Sequence, residues 1–392
     1  MTGPTMDPPL PAEERAFVAR AAAFAAAVIA PDAAGRERRR EALPRPAFRR
    51  YAAEGFAGLT VPRALGGQGA SFPCKIHVAE TMARACMASA FALNNLQSGI
   101  ARLVREGTPE QRERWLPGLL AGDLVSTIVL TEPGAGSDAS AMATLATKVD
   151  GGWRLRGDKA WVTNGTHADL ALLHAQTAPG SGARGIACFL ADLRAPGVTR
   201  GAPYGLIGGG AIGAAAIALD DVFVPDADLL APPGEAFRRA MAGITAARVH
   251  VSAMVNGMVA ECLGRAVDHA GTRRAFGRTL LEHQGLRWSL AEVATRLEAS
   301  RLLVDRAALL VEQGRDAILE ASQAKLFAVE MALPAVSACM QAMGADGLTD
   351  AQPFARHLAA ARIAAYVDGT SEIQRDRIGL LLDRRYGGQA LP

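Results

Sequence analysis

From Pro11 to about Gly122 the apolar positions recur with a helical period in Ala-rich stretches. Pro31, the Gly66-Gly67-Gln68-Gly69 turn, Gly107-Thr108-Pro109 and Pro117 interrupt them. Thr108 and Pro109 read as a helix start, with Thr as N-cap and Pro in the first turn. Between Leu124 and Pro233 short runs of Val, Ile, Thr and Leu alternate with Gly, Asp and Pro. Thr144–Val149 and Trp153–Arg156 around Asp150-Gly151-Gly152 predict a hairpin, and Leu170–Ala175, Ile186–Asp192 and Ile217–Val224 further strands. After Gly234 the helical period returns: Leu286, Leu290, Val293, Leu297, Leu303 and Val304 mark one long amphipathic helix in a bundle of about four or five. The pattern therefore predicts an α+β chain of three parts: a helical domain over 1–123, a small antiparallel β domain over 124–233 and a helical bundle over 234–392.

Composition changes this picture little. Of the 392 residues, 50% are hydrophobic and 21% charged, the balance of a globular chain. A net charge of +3 is too small for a nucleic-acid surface. Five Cys are scattered without metal-ligand spacing, so no metal site is expected and the thiols read as reduced and buried in a cytoplasmic protein. The Pro-rich Met1–Pro11 and the Ala-rich Ala21–Ala30 do not make an export signal. Gly201–Leu219 is uncharged, but six Gly and Pro203 argue for a loop leading into a strand rather than a membrane span, so no membrane insertion is expected. The basic run Arg36–Arg50, broken by Glu37, Glu41, Pro44 and Pro46, reads as a solvated surface. Only Lys75, Lys148, Lys159 and Lys325 among 42 basic residues are Lys.

Three segments carry chemistry: Leu130-Thr131-Glu132-Pro133-Gly134-Ala135-Gly136-Ser137-Asp138, Trp161-Val162-Thr163-Asn164-Gly165 and Asp368-Gly369-Thr370-Ser371. A flavin ring needs hydrogen-bond partners along one edge and a flat surface against one face, which hydroxyls, peptide groups and an indole can supply. Residue by residue these segments resemble the flavin and active-site segments of the acyl-CoA dehydrogenase family, and the similarity runs over nearly the whole chain. Gly58-Leu59-Thr60-Val61-Pro62 and Asp220-Asp221-Val222-Phe223-Val224-Pro225 also look like that family's connecting segments.

The resemblance implies FAD as cofactor, with Thr131 and Thr163 bonding the ring, Trp161 beside it, and Leu130, Gly136, Ser137 and Val162 in the same two segments. Arg273, Phe276, His283 and Gln284 resemble the family's Arg-x-x-Phe-Gly and later Gln, which place Arg273 on the pyrophosphate. Gln341, Gly344 and Ala345 resemble a segment that reaches the cofactor of a neighbouring subunit, implying a homodimer or homotetramer. Ala345 stands where a second Gly is usual. Thr370, Ser371 and Glu372 would meet the cofactor while opening a final helix that runs to about Arg385.

In that family a carboxylate removes the α-proton of an acyl thioester as hydride leaves the β-carbon for the flavin, and hydrogen bonds polarise the thioester carbonyl. The base position here is Asp368 where Glu is usual, one methylene shorter, or roughly 1.5 Å of reach, when misplacement by about 1 Å can cost about a hundredfold. A shifted backbone, a different substrate, or a carboxylate that merely caps the helix all fit the sequence. Ala247 offers no base at the position some family members use. Substrate contacts are expected from Ser137, Arg248, Asp368 and Gly369. Thr245-Ala246-Ala247, Gly210 and Ala216 lack the usual polar CoA contacts, so an acyl carrier protein rivals CoA as the carrier. The reading is an acyl-thioester dehydrogenase passing electrons to an electron-transfer flavoprotein. The alternatives are a flavin oxidase or N-oxygenase of the nitroalkane-oxidase kind, or a non-catalytic flavin-binding subunit.

Overall fold

The computed structural model describes residues 10–387, so nearly all of the Pro-rich Met1–Pro11 lies outside the described residues. The first part folds into α1 (Ala12–Phe24), α2 (Ala33–Arg39), α3 (Arg45–Ala53), α4 (Phe72–Ala85), α5 (Met87–Glu106) and α6 (Pro109–Leu120). Thr108 caps α6 as expected: its hydroxyl accepts the Gln111 N–H at 3.2 Å and Gln111 returns a bond to the Thr108 N–H at 3.0 Å. A wide turn at Ala25–Ile29 joins α1 to α2 in a run apolar enough, by composition, to cross a bilayer. Its apolar face already has a protein partner, because Phe17, Ala21, Phe24 and Ile29 are buried and Phe24 meets Tyr51 and Phe56 edge-on.

The basic run is not simply solvated. Arg36 is buried and bonds Ile29 O and Asp32 at 3.3 Å, while Arg45 reaches the sheet, pairing with buried Asp169 at 2.7 Å and bonding His167 O at 2.8 Å. Charge counting missed this because a partner far along the chain decides where such a side chain lies.

The second part is an eight-stranded sheet: β1 (Ser126–Val129), β2 (Leu145–Val149), β3 (Gly152–Val162), β4 (Leu170–Gln176), β5 (Ile186–Asp192), β6 (Val198–Pro203), β7 (Ala215–Pro225) and β8 (Leu229–Ala231). The order is β6-β7-β3-β2-β4-β5-β8, with β1 also on β4. The expectation of an antiparallel sheet needs correcting, since β1 and the end of β2 pair parallel to β4. The chain from β1 to β4 passes through the whole β2–β3 hairpin, which is long enough for a parallel crossover. Gly201–Pro203 are strand rather than loop, and β6 and β8 were too short or too Gly-rich to be read. Strand β4 is buried throughout: Leu170 and Leu172 face the helical core, and Ala171, Leu173 and Ala175 face a second core with Leu155 and Phe189.

The third part holds α7 (Ala236–Thr272), a two-stranded hairpin β9 (Arg274–Ala275) and β10 (Arg278–Thr279), α8 (Gln284–Glu312), α9 (Ile318–Ala342), α10 (Phe354–Tyr366), α11 (Ser371–Leu380) and α12 (Leu382–Tyr386). The single final helix expected from Glu372 is thus two helices, broken at Leu381. Helix α7 is buried continuously from Arg248 to Val259, so it is the axis on which the other helices pack. All five cysteines are buried and free.

Candidate active site

The two flavin-like segments are brought together by a buried ion pair. Lys159, wholly buried on β3, donates to Glu132 at 2.7 Å and to Leu130 O at 3.1 Å. Glu132 also accepts the N–H groups of Ala143 (2.6 Å) and Thr144 (3.0 Å), and Ala160 N–H bonds Thr131 O at 3.0 Å. These bonds fix 130–144 against the end of β3. Burial opposes ionisation of both partners; the ammonium and the N–H donors still hold the Glu132 carboxyl below its ordinary value.

Leu130, Thr131 and Thr163 are half-buried, Val162 is buried, and Gly134, Gly136 and Ser137 are exposed. A Cβ added at Gly134 or Gly136 would meet no atom within 4 Å, so this turn borders open space. Trp161 and Asn164 both take the left-handed conformation, φ 57°. One face of the Trp161 ring stacks on Tyr204 with centroids 4.1 Å apart, yet Trp161 is 56% exposed, leaving aromatic surface free. Asn164 ties the turn to the helical part by donating to Ala92 O at 2.9 Å.

Asp368 and Gly369 form the bend between α10 and α11, at φ 54° and 92°. Asp tolerates the left-handed region better than longer side chains do, so the Glu-to-Asp exchange eases the backbone while shortening the reach. The helix cap is Thr370, whose hydroxyl accepts the Ile373 N–H at 3.5 Å. The Asp368 carboxylate is free of that duty, and among the described residues it makes no hydrogen bond and no ion pair within 4 Å. Instead the backbone of the bend is held. Arg248 Nε donates to Asp368 O at 3.1 Å, Gln374 to Asp368 O at 3.3 Å and Gly369 O at 2.9 Å, and Lys325 Nζ to Gly369 O at 2.5 Å and also to Val367 O.

Burial raises the Asp368 carboxyl above its usual range, against the opposing pull of Lys325 and Arg248. Burial also lowers Lys325 to about 8 and, helped by Arg377, Arg248 to about 10. Arg248 is 2% exposed and its Nη1 has no partner among the described residues, an orphaned donor beside the bend. Gly369 is required twice over, by its φ and because a Cβ would press on Gln374 at 3.0 Å and Ile373 at 3.1 Å. Ser371 and Glu372 open α11, with Glu372 exposed.

The remaining candidates lie elsewhere. Arg273 follows the last residue of α7, about 36 Å of helix beyond Arg248. Phe276 and Gly277, at φ 52° and 81°, form the tip of the β9–β10 hairpin, and Phe276 is 96% exposed. His283 Nε2 lies 3.1 Å from Ala275 O, and exposed Gln284 begins α8. Gln341, Gly344 and Ala345 are exposed at the end of α9, and His269 near the end of α7 lies 4.0 Å from Asp346. The chain therefore gathers these two segments at one end and the Asp368 bend far from them. Sequence reasoning missed Lys159, Lys325, Gln374 and Tyr204. One signal was available: in an Arg-dominated chain, three of the four Lys, namely Lys75, Lys159 and Lys325, are buried.

The acyl-CoA dehydrogenase N-terminal, middle and C-terminal domain families match residues 11–123, 127–222 and 234–380. An acyl-CoA dehydrogenase of Bacillus subtilis is 35% identical over 353 residues, 90% of this chain and 93% of that one. Among solved structures, butyryl-CoA dehydrogenase from Megasphaera elsdenii superposes with a TM-score of 0.92 at 29% identity, covering 96% of this chain and 100% of that chain. PigA with FAD and proline gives 0.90 at 26% identity (97% and 100% covered), and the prolyl acyl carrier protein oxidase AnaB 0.90 at 26% (95% and 99%). The chain belongs to the acyl-CoA dehydrogenase family. It is accordingly an FAD-dependent oxidoreductase acting on CH–CH groups. The open cradle at Gly134 and Gly136, the free face of Trp161 and the nearby hydroxyls of Thr131 and Thr163 fit that cofactor.

Proposed function

We propose that the chain oxidises an acyl group, carried as a pantetheine thioester, to its α,β-unsaturated form, with Asp368 as the base. FAD, when bound, supplies the acceptor for the hydride that leaves the β-carbon. Asp368 takes the α-proton, the α- and β-carbons gain a double bond, and charge developing on the thioester oxygen calls for donors nearby. The observation that carries this reading is the Asp368 carboxylate itself: unpaired and uncapped, on a backbone gripped by three side chains. A structural carboxylate would be expected to spend its oxygens on protein donors.

Leu130, Thr131, Gly136, Ser137, Trp161, Val162 and Thr163 would hold the ring end of FAD, and Ser137, Arg248 and Gly369 would meet the thioester. Arg273 lies beyond the far end of α7 from Arg248, and Phe276, His283, Gln284, Gln341, Gly344 and Ala345 lie on the hairpin, the start of α8 and the end of α9, away from the Asp368 bend. They would complete the cofactor site of a second copy in a homodimer or homotetramer. CoA and an acyl carrier protein share the pantetheine arm; Thr245-Ala246-Ala247 offers CoA no charged contact, and the structural likeness to AnaB, a carrier-protein oxidase, favours the carrier protein. Electrons would pass to an electron-transfer flavoprotein. Anaerobic mixing with acyl-CoA and acyl-carrier-protein thioesters tests the reading: bleaching of the flavin by one class supports it and names the carrier, and no bleaching by either contradicts it. That same likeness favours one second reading, an oxidase, which rapid reoxidation of the substrate-reduced flavin by air would establish.

A further inference from the structure

Three consecutive carbonyl groups, of Val367, Asp368 and Gly369, all point into a pocket of donors. Lys325 takes the first and third, Arg248 the second, and Gln374 the second and third. Lys325 and Gln374 are wholly buried and Arg248 nearly so. In a trans peptide the N–H lies opposite the carbonyl, so pulling these three oxygens inward turns the N–H groups of Asp368, Gly369 and Thr370 the other way. None of those three N–H groups has an acceptor among the described hydrogen bonds. Asp368, Gly369 and Thr370 are half-buried, so these N–H groups remain available as donors to a ligand on this face of the bend.

We propose that Lys325 is a positioning residue for the reaction: its ammonium draws the carbonyls on either side of Asp368 inward and thereby presents both the Asp368 carboxylate and the adjacent N–H groups to the thioester. This rests on Asp368 being the base. The compact ammonium carries three donors, enough to bridge two carbonyls two residues apart. Lys325 also sets the charge around the base. The other ionisable groups on the helices around the bend include Arg248 and His250 on α7, Glu320 and Glu330 on α9 (the latter paired at the surface with Arg375), Arg356, His357, Arg362 and Tyr366 on α10, and Glu372, Asp376 and Arg377 on α11. Of these, only Arg248 acts on Asp368 together with Lys325.

The test compares the FAD-loaded wild type with Lys325→Met and Lys325→Gln. Protonation of Asp368 is followed without substrate, as the infrared carbonyl stretch of a carboxylic acid that disappears in Asp368→Asn. The expected result is a midpoint about one pH unit higher in both variants, since both lose the cation. Where a thioester bleaches the wild type, Lys325→Met lowers kcat about a hundredfold with KM within about twofold. Lys325→Gln, which keeps a donor, recovers about tenfold of that loss. If only one variant folds, its midpoint decides. Coincident midpoints in wild type and variants would overturn the proposal, even if stability falls, because they would leave Lys325 a purely structural role. A raised midpoint in an enzyme that no thioester bleaches would uphold the placement of Asp368 and reject its substrate.

Discussion

Arg248 Nε bonds the backbone oxygen of Asp368 at 3.1 Å and leaves the carboxylate of that residue unpaired. The guanidinium thus fixes where the acid sits without neutralising it. Burial raises the Asp368 carboxyl above its ordinary value, so its ionised form is less favoured folded than unfolded. Such a group favours the fold below its unfolded pKa and loses that contribution as pH rises through the folded value. At pH 7 the charge is therefore a burden. Asp368→Asn should raise Tm at pH 7 and lose this advantage below about pH 4, where the wild-type carboxyl is protonated in both states. An unchanged or lowered Tm at pH 7 would show the carboxylate to be a stabilising contact after all.

The same shift fixes the sign of the pH–rate profile. Proton abstraction requires carboxylate, so the rate of flavin reduction should fall as pH drops, with a midpoint above the ordinary Asp value of 3.8. Arg248→Met, which removes one of the two opposing cations, should move that midpoint upward. Stopped-flow reduction across pH checks both, and a downward move would contradict the electrostatic assignment.

Thr370, not Asp368, carries the cap of α11. Thr370→Val should cost about 1 kcal/mol in denaturant unfolding of the FAD-free protein, the usual worth of such a cap. Asp368→Gly, which removes the carboxylate while accepting the same positive φ, should show no cap loss in the same assay; equal losses would return Asp368 to a structural role.

Lys159 and Glu132 form an ion pair in which the side chains are 0% and 6% exposed. Removing one partner strands the other, so Lys159→Met should cost about 3–5 kcal/mol and lower FAD content by loosening the loop from Leu130 to Ser137. Glu132 is held below its ordinary pKa, so the pair's contribution is present above about pH 4.5 and is lost as pH falls through the depressed value. FAD release measured by fluorescence on acidification should follow that order, and retention of full FAD by a folded Lys159→Met would contradict it.

Phe276 stands 96% exposed at a hairpin tip in a backbone conformation that a bulky side chain adopts at a cost. Phe276→Ala should leave circular dichroism unchanged while lowering both the oligomeric mass in sedimentation and the FAD content. A folded variant that keeps its mass and flavin would remove the second copy from the cofactor site.

Much of this was legible in the chain. Helical period marked α8 and the start of α6, and Ile186–Asp192 was readable as a strand because its residues fill a buried β position one after another. Strands β1 and β8 were not, at four and three residues, since so short a run has no period. At the site, hydroxyls, glycines and Asp368 could be named because their chemistry and spacing are local. Lys325 and Gln374 could not, because they act through backbone oxygens rather than through a motif. Lys325 lies 42 residues before the first carbonyl that it holds.

The proposed oxidation turns on Asp368 taking the α-proton of an acyl thioester. The direct measurement is anaerobic mixing of the FAD-loaded wild type and Asp368→Asn with the same thioester, following flavin bleaching and the exchange of the α-proton with deuterated water. Bleaching and exchange in the wild type, with both lost by about a hundredfold or more in a variant that keeps its FAD, is the predicted result. Equal bleaching by Asp368→Asn would contradict it.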